Sequence, residues 1–306
     1  MGVTDGGTFG TNAGMDRHAN PRAHETYAGH GTVPAMSETP PEDRSPEPVT
    51  VDSIASDLRD LGVEAGQTVL VHGSLSSLGW VCGGPMAVVD ALQRVVTEDG
   101  TVVMPTHSPG NMEPSDMEHP PVPESWYDTI REEMPPYRPD VTPTQGMGAI
   151  AECFRSYPGV RRSAHPQHSF AAWGADAGVV TEGHSLEYSL GEDSPLARVY
   201  DLGGDVLFLG TTHATNTSFH LAEYRADIDI DVTTGASAIL VDGEREWVEF
   251  EDVDIDDSDF PDCGEAFERE RPGAFETGTV GAGDAKLLDQ RAMVDFAVEW
   301  MEQNRE

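Results

Sequence analysis

QTVLVHGSLSSLGWVCGGPMAVVDALQRVVTEDGTVVMPT occupies residues 67–106. It opens on a short apolar run, QTVLVH, and closes on a second, TVVMPT. Between them, GPMAVVDALQRVVTEDG sets Val88, Val89, Leu92 and Val96 on one face of a helix. Strand, helix, strand at this length reads as a βαβ unit, whose strands run parallel because the helix carries the chain back across the sheet. The stretch therefore predicts an α/β fold, a central and mostly parallel sheet flanked by helices.

Working outward, TVDSIASDLRDLGV reads as a helix with Ile54, Leu58 and Leu61 inward, Asp52 or Ser53 as its cap and Gly62 as its stop. Residues 1–48 are rich in Gly, Thr, Pro, Glu and Ser and nearly free of large aliphatics, the composition of a disordered leader. The expected domain is 49–306. His18, His24 and His30 recur evenly in that leader, and chance accounts for them better than a metal site. Prolines crowd residues 105–143, a long loop in which SWYDTIREEMPPY reads as a short helix over a cleft. GMGAIAECFRSYPG reads as a helix, HSFAAWG as a strand, SPLARVYDLGG as a helix stopped by glycine and DVLFLG as a central strand. ASAILVDGEREWVEF is a hairpin about Asp242-Gly243, and EDVDIDDSDFPD a solvated acidic loop. QRAMVDFAVEWMEQ closes the chain as a helix with Val294, Ala297, Val298 and Met301 in a stripe.

The composition narrows the function. Of 306 residues, 55 are Asp or Glu and 18 are Lys or Arg, a formal net charge of -37. No basic stripe exists to neutralise phosphates, so nucleic acid is excluded as a partner. At about 1 M salt the Debye length falls to about 3 Å, which would screen such self-repulsion; the spread of acid points to a salt-loving cytoplasm. No apolar run approaches the roughly 18 residues of a membrane span, and no secretory signal opens the chain. Cys82, Cys153 and Cys263 are too sparse for a disulfide framework or a CxxC metal site.

Three segments carry polar chemistry. VHGSLSSLGWVCGG (residues 71–84) leaves a strand and leads toward a helix; its glycines and Ser74, Ser76 and Ser77 suit a phosphate, or else it is a plain turn. His72 ends the strand, where α/β sheets place ligands, and is either a site residue or a loop hydrogen-bonder. RRSAHPQHSF (residues 161–170) pairs two arginines for a phosphate or carboxylate, against mere charge balance. In TTHATNTSFHLAEYRA (residues 211–226), His220 and Glu223 lie three apart on one helical face. A carboxylate beside an imidazole raises its basicity and fixes its orientation, as a general base requires. The competing readings are a satisfied histidine in a capped helix, and a zinc site of His213, His220 and Glu223 serving a hydrolase.

These three segments in order, with VVMPTHSPGNMEPS, TPTQGMGAIAE and GEDSPLARVYDLGG in support, resemble the aminoglycoside 3-N-acetyltransferase (antibiotic N-acetyltransferase) family from about residue 50 to the end. The resemblance implies a fold distinct from the commoner acetyltransferase fold, and antibiotic resistance by transfer of acetyl from acetyl-CoA to an amine of a 2-deoxystreptamine ring. It assigns His220 as general base with Glu223 as its neighbour, and His72 as a second histidine near the reacting centre. It assigns Ser74, Leu75, Ser76, Ser77, Thr106, His165, Ser169 and Phe170 to acetyl-CoA. Gly73 departs from the family, where serine is frequent. A non-catalytic CoA- or cation-binding relative is the remaining alternative.

Overall fold

The computed structural model describes residues 40–117 and 120–305. The expected leader lies outside the described residues as far as residue 39, with its three histidines. From residue 40 the chain is ordered against the domain. After one helical turn, α1 (Pro41–Arg44), Arg44 donates to the Gly79 carbonyl (2.9 Å), Ser45 and Val49 are buried, and Val49 bridges Val81. Packing thus begins ahead of residue 49.

α2 (Val51–Leu61) is capped by Thr50, not by Asp52 or Ser53 as expected. Thr50 is extended (φ -124°, ψ 167°), so its hydroxyl can accept from the Ser53 N–H while Ser53 Oγ accepts from the Thr50 N–H. Gly62 ends the helix at φ +108°. Next come β1 (Thr68–Gly73), α3 (Pro85–Val96) and β2 (Thr101–Pro105), the strands parallel with Thr68 opposite Thr101. The chain continues through α4 (Tyr127–Glu133), α5 (Gly148–Phe154), β3 (Arg161–Arg162), β4 (Phe170–Gly174), α6 (Ala177–Thr181), α7 (Pro195–Asp201) and β5 (Asp205–Leu209). It closes with α8 (Ser218–Arg225), β6 (Val232–Val241), β7 (Glu244–Val253), α9 (Phe260–Glu270), β8 (Phe275–Val280), β9 (Gly283–Asp289) and α10 (Gln290–Asn304).

Seven strands form one sheet in the order β3-β4-β2-β1-β5-β9-β8. The parallel reading describes its centre, β2-β1-β5; β4 and β9 flank that core antiparallel, and β3 and β8 extend it antiparallel. Alternate strand residues feed two cores. Val69, Val71, Val102 and Leu207 face α2, α3 and α5; Leu70, Val103, Val206 and Phe208 face α7, α8, α9 and α10. β6 and β7 pair separately about Asp242 and Gly243, at φ +52° and +86°, the conformation a two-residue hairpin turn demands. α4 stands beside this hairpin, held by Arg245 Nε on the Met134 carbonyl (2.8 Å), with none of its side chains fully buried. The three cysteines are free, Cys82 exposed, Cys153 half-buried and Cys263 buried.

Candidate active site

β1 and β5 are neighbours and parallel, so the segments leaving their carboxyl ends meet. Ser74 N–H donates to the Leu209 carbonyl (2.9 Å), and Thr211 Oγ1 donates to the His72 carbonyl (3.3 Å). A Cβ added at Gly210 (φ +64°) would lie 2.3 Å from Ser77 Cβ, so only glycine allows this approach. The serine segment winds into a 3-10 turn, Leu75–Leu78. Its hydroxyls are linked, Ser77 Oγ donating to Ser74 Oγ (2.9 Å) and Ser74 Oγ lying 3.2 Å from Ser76 Oγ. The first N–H groups of such a turn have no acceptor within it and are open to an anion. α3 does not supply that seat as the sequence suggested. It starts later, at Pro85, which has no N–H. At Gly73 a Cβ would meet Ile150 Cδ1 at 2.9 Å, so the family's serine would need that side chain to shift.

From β5 the chain turns through 211–217 into α8, whose first turns carry the expected pair. His220 Nδ1 lies 2.5 Å from Glu223 Oε2. The other oxygen of Glu223 accepts from Arg305 Nη1 (2.6 Å) and from the Asp256 N–H (3.0 Å), and the carboxylate is fully buried. Arg305 is itself held by Asp259 (Nε to Oδ2, 2.8 Å) and by the Asp256 carbonyl (2.7 Å). Burial works to lower its pKa, but the Asp259 and Glu223 carboxylates outweigh burial and raise it. Glu223 can therefore only receive from Nδ1–H, which leaves Nε2 of the neutral ring with its lone pair free. His220 borders a small pocket with Ala214, Thr215, Asn216, Thr217, Asp257 and Phe260. Partial burial raises the pKa of the Asp257 carboxyl, against the pull of His220, and Asn216 Oδ1 is buried there without a partner. Glu223 cannot attract a cation from this pocket; Asp257 can.

Arg305 and Asp257 escaped the sequence reading. Arg305 lies at the far end of the chain, and Asp257 sits in the run taken for a solvated loop. Neither carries a local signal. In the same run Asp252 is buried, accepting from Ser189 Oγ (2.6 Å) and Tyr224 Oη.

The zinc reading fails on geometry. His213 Nε2 is turned to Glu268 Oε1 (2.9 Å), and Glu268 also holds Lys286. Among the described residues the metal-competent grouping is a different one, His165, His168 and Asp252. Its His165 nitrogens are both committed: Nδ1 accepts from the Gln167 and His168 N–H groups (3.2 and 2.8 Å), so Nε2 donates to the Leu186 carbonyl (3.2 Å).

In and beside the RRSAHPQHSF segment, Thr106, His165, Ser169 and Phe170 are at most 1 % exposed, enclosed by the fold's own contacts. Arg162 Nε donates to Thr106 Oγ1 (3.1 Å) and Ser169 Oγ (3.0 Å), and its Nη1 to the Pro139 carbonyl (3.2 Å). Arg161 is an exposed partner of Glu182 (3.0 Å). These residues pin loops together. His72 lies at the carboxyl end of β1 as expected, one residue before Gly73, edge-on to Phe208 (5.7 Å). Burial pulls its pKa down to about 3, so it is neutral, and its Nε2 is buried and unpartnered.

The chain as a whole is similar to proteins already known. Residues 70–302 match the family model for aminoglycoside 3-N-acetyltransferase. The chain is 46 % identical over 258 residues to the SPbeta prophage-derived aminoglycoside N(3')-acetyltransferase-like protein YokD of Bacillus subtilis (strain 168), covering 84 % of this chain and 94 % of that one. The YokD crystal structure superposes with a TM-score of 0.83, covering 85 % and 96 % of the two chains. Aminoglycoside N(3)-acetyltransferase VII of Streptomyces paromomycinus is 40 % identical over 278 residues, covering 85 % and 94 %. The structure of AAC-IIIb in binary complex with CoASH is 30 % identical with a TM-score of 0.76, covering 85 % and 98 %. The chain belongs to the aminoglycoside 3-N-acetyltransferase family.

Proposed function

We propose that this chain transfers acetyl from acetyl-CoA directly to an amine of an aminoglycoside-like polycation, the 3-amino group of a 2-deoxystreptamine ring. One observation carries the reading: a buried carboxylate, neutralised from behind by Arg305, engages Nδ1 of His220 and leaves Nε2 free, on a ring that borders a pocket. An ammonium cannot attack a thioester, so the acceptor gives one proton to solvent and reacts as the free amine. His220 Nε2 takes a second proton as that nitrogen attacks the carbonyl carbon, and Glu223 stabilises the imidazolium that forms. The C–S bond then breaks, and CoA leaves as the thiolate, which takes the imidazolium's proton. Asp257 supplies the negative charge that draws the polycation to the pocket.

The 74–77 turn fits the CoA diphosphate, since it offers its first N–H groups and a linked set of serine hydroxyls beside the carboxyl ends of β1 and β5. Ser74, Ser76 and Ser77 would hold the diphosphate, with Leu75 against the pantetheine arm. We further infer a cytoplasm of high salt, because a net charge of -37 is tolerated best where salt screens it.

The test is thiol release from acetyl-CoA by the purified chain, with a panel of 2-deoxystreptamine aminoglycosides and linear polyamines, at low and at molar salt. Release that depends on the aminoglycoside, and is greater in molar salt, is expected. No thiol with any amine at either salt would leave a non-catalytic relative.

A further inference from the structure

His168 stands outside the acetyl-transfer machinery, yet it is built like a site residue. Its Nδ1 lies 2.6 Å from Ser189 Oγ. The Ser189 hydroxyl has one hydrogen, and donates it to Asp252 Oδ2 (2.6 Å). The hydrogen between His168 and Ser189 must therefore come from Nδ1. Asp252 is buried and fixed by the Val253 N–H (2.9 Å) and by Tyr224 Oη, from the helix that carries His220. His165 fixes the other end of the loop by accepting the His168 N–H (2.8 Å), and the two rings stack at 5.4 Å. The ring is thus held from both sides with Nε2 as its free lone pair. That atom has no partner among the described residues, and the side chain is 21 % exposed. Tyr224, which holds Asp252, stands one helical turn after His220 on the same face of α8, and His107, whose own Nε2 is buried without a partner, lies edge-on to the His168 ring at 5.3 Å.

We propose that His168, oriented through Ser189 and Asp252, is an acceptor-positioning residue whose Nε2 takes a hydrogen bond from an ammonium or hydroxyl of the bound aminoglycoside beside the amine that His220 deprotonates. The inference rests on the acetyl-transfer reading. It adds a second imidazole whose orientation, like that of His220, is set by a buried carboxylate, here through an intervening hydroxyl.

The experiment uses the full chain with neomycin as the acceptor, by steady-state kinetics and by calorimetric binding without acetyl-CoA. His168→Ala should raise the neomycin KM and Kd about tenfold, the scale of one hydrogen bond to a charged group. The acetyl-CoA KM and the melting temperature should stay at wild-type values. His168→Gln, which keeps an acceptor, should recover most of the loss, and Ser189→Ala should lose about threefold. Unchanged neomycin constants in His168→Ala, or a loss shared equally by acetyl-CoA or by the melting temperature, would overturn the proposal. If the wild type binds neomycin without releasing thiol, acetyl transfer falls and the binding arm still decides His168. If the wild type neither binds nor turns over neomycin, both fall.

Discussion

Glu223 has both oxygens occupied, one by an imidazole and one by a guanidinium. That division of labour makes the histidine useful. A buried carboxylate without Arg305 would be costly, and breaking such a pair typically costs about 3–5 kcal/mol. With Arg305 on one oxygen, Glu223 accepts from Nδ1–H through the other and leaves Nε2 to act. Glu223→Gln keeps the size of the side chain but lets its amide present a donor to Nδ1, so the wrong tautomer becomes accessible. We expect kcat to fall by about tenfold or more with the acetyl-CoA KM unchanged, read by thiol release. A kcat within about twofold of wild type would mean that Glu223 only fills space. The pair was legible in the sequence because residues three apart on a helix share a face. Its counter-ion was not, because Arg305 reaches it from 82 residues further along the chain.

At the scale of elements, periodicity served where an element has one wet and one dry face. α2, α3 and α10 sit where their apolar positions predict, and the Asp242-Gly243 turn closes β6 on β7. The elements that escaped are those whose residues answer to distant neighbours. β8 exposes four successive residues, so no alternation marks it as a strand. α9 has Gly264 in its interior, where glycine costs about 1 kcal/mol against alanine. A Cβ there would lie 2.1 Å from the His213 ring, and that contact is what requires the glycine. The arginines and serine of RRSAHPQHSF look like ligand groups in one dimension. In three, Arg162 and Ser169 hold the loop on which His168 stands, a role that depends on carbonyls contributed by residues 106 and 139, while Arg161 pairs with Glu182 at the surface.

At the scale of the molecule, acid should act chiefly through buried histidines. Burial depresses His72 to about 3 and His168 and His184 to about 4, and pushes His107 and His165 well below the usual histidine value. An unfolded histidine titrates near about 6.5. Between about pH 6.5 and 4 the unfolded chain therefore binds more protons than the folded one, and stability falls as pH falls through that window. Asp205, raised to about 6 by burial and by Asp289, and Asp257, raised by burial, work in the opposite sense, but they are two groups against six, since burial lowers His213 as well. Urea midpoints at constant molar salt should be level from about pH 8 to 7 and drop steeply from about pH 6 to 4.5. The loss should reach several kcal/mol, since each tenfold weakening of a ring's proton affinity on folding is worth about 1.4 kcal/mol. A flat profile across that range would show that these rings are hydrated in solution.

Acetyl transfer by this chain requires that His220 take a proton, and single-turnover transfer by His220→Ala tests that requirement directly. With CoA affinity and melting temperature retained, the rate should fall at least about 100-fold. Transfer at a near-wild-type rate would contradict the claim.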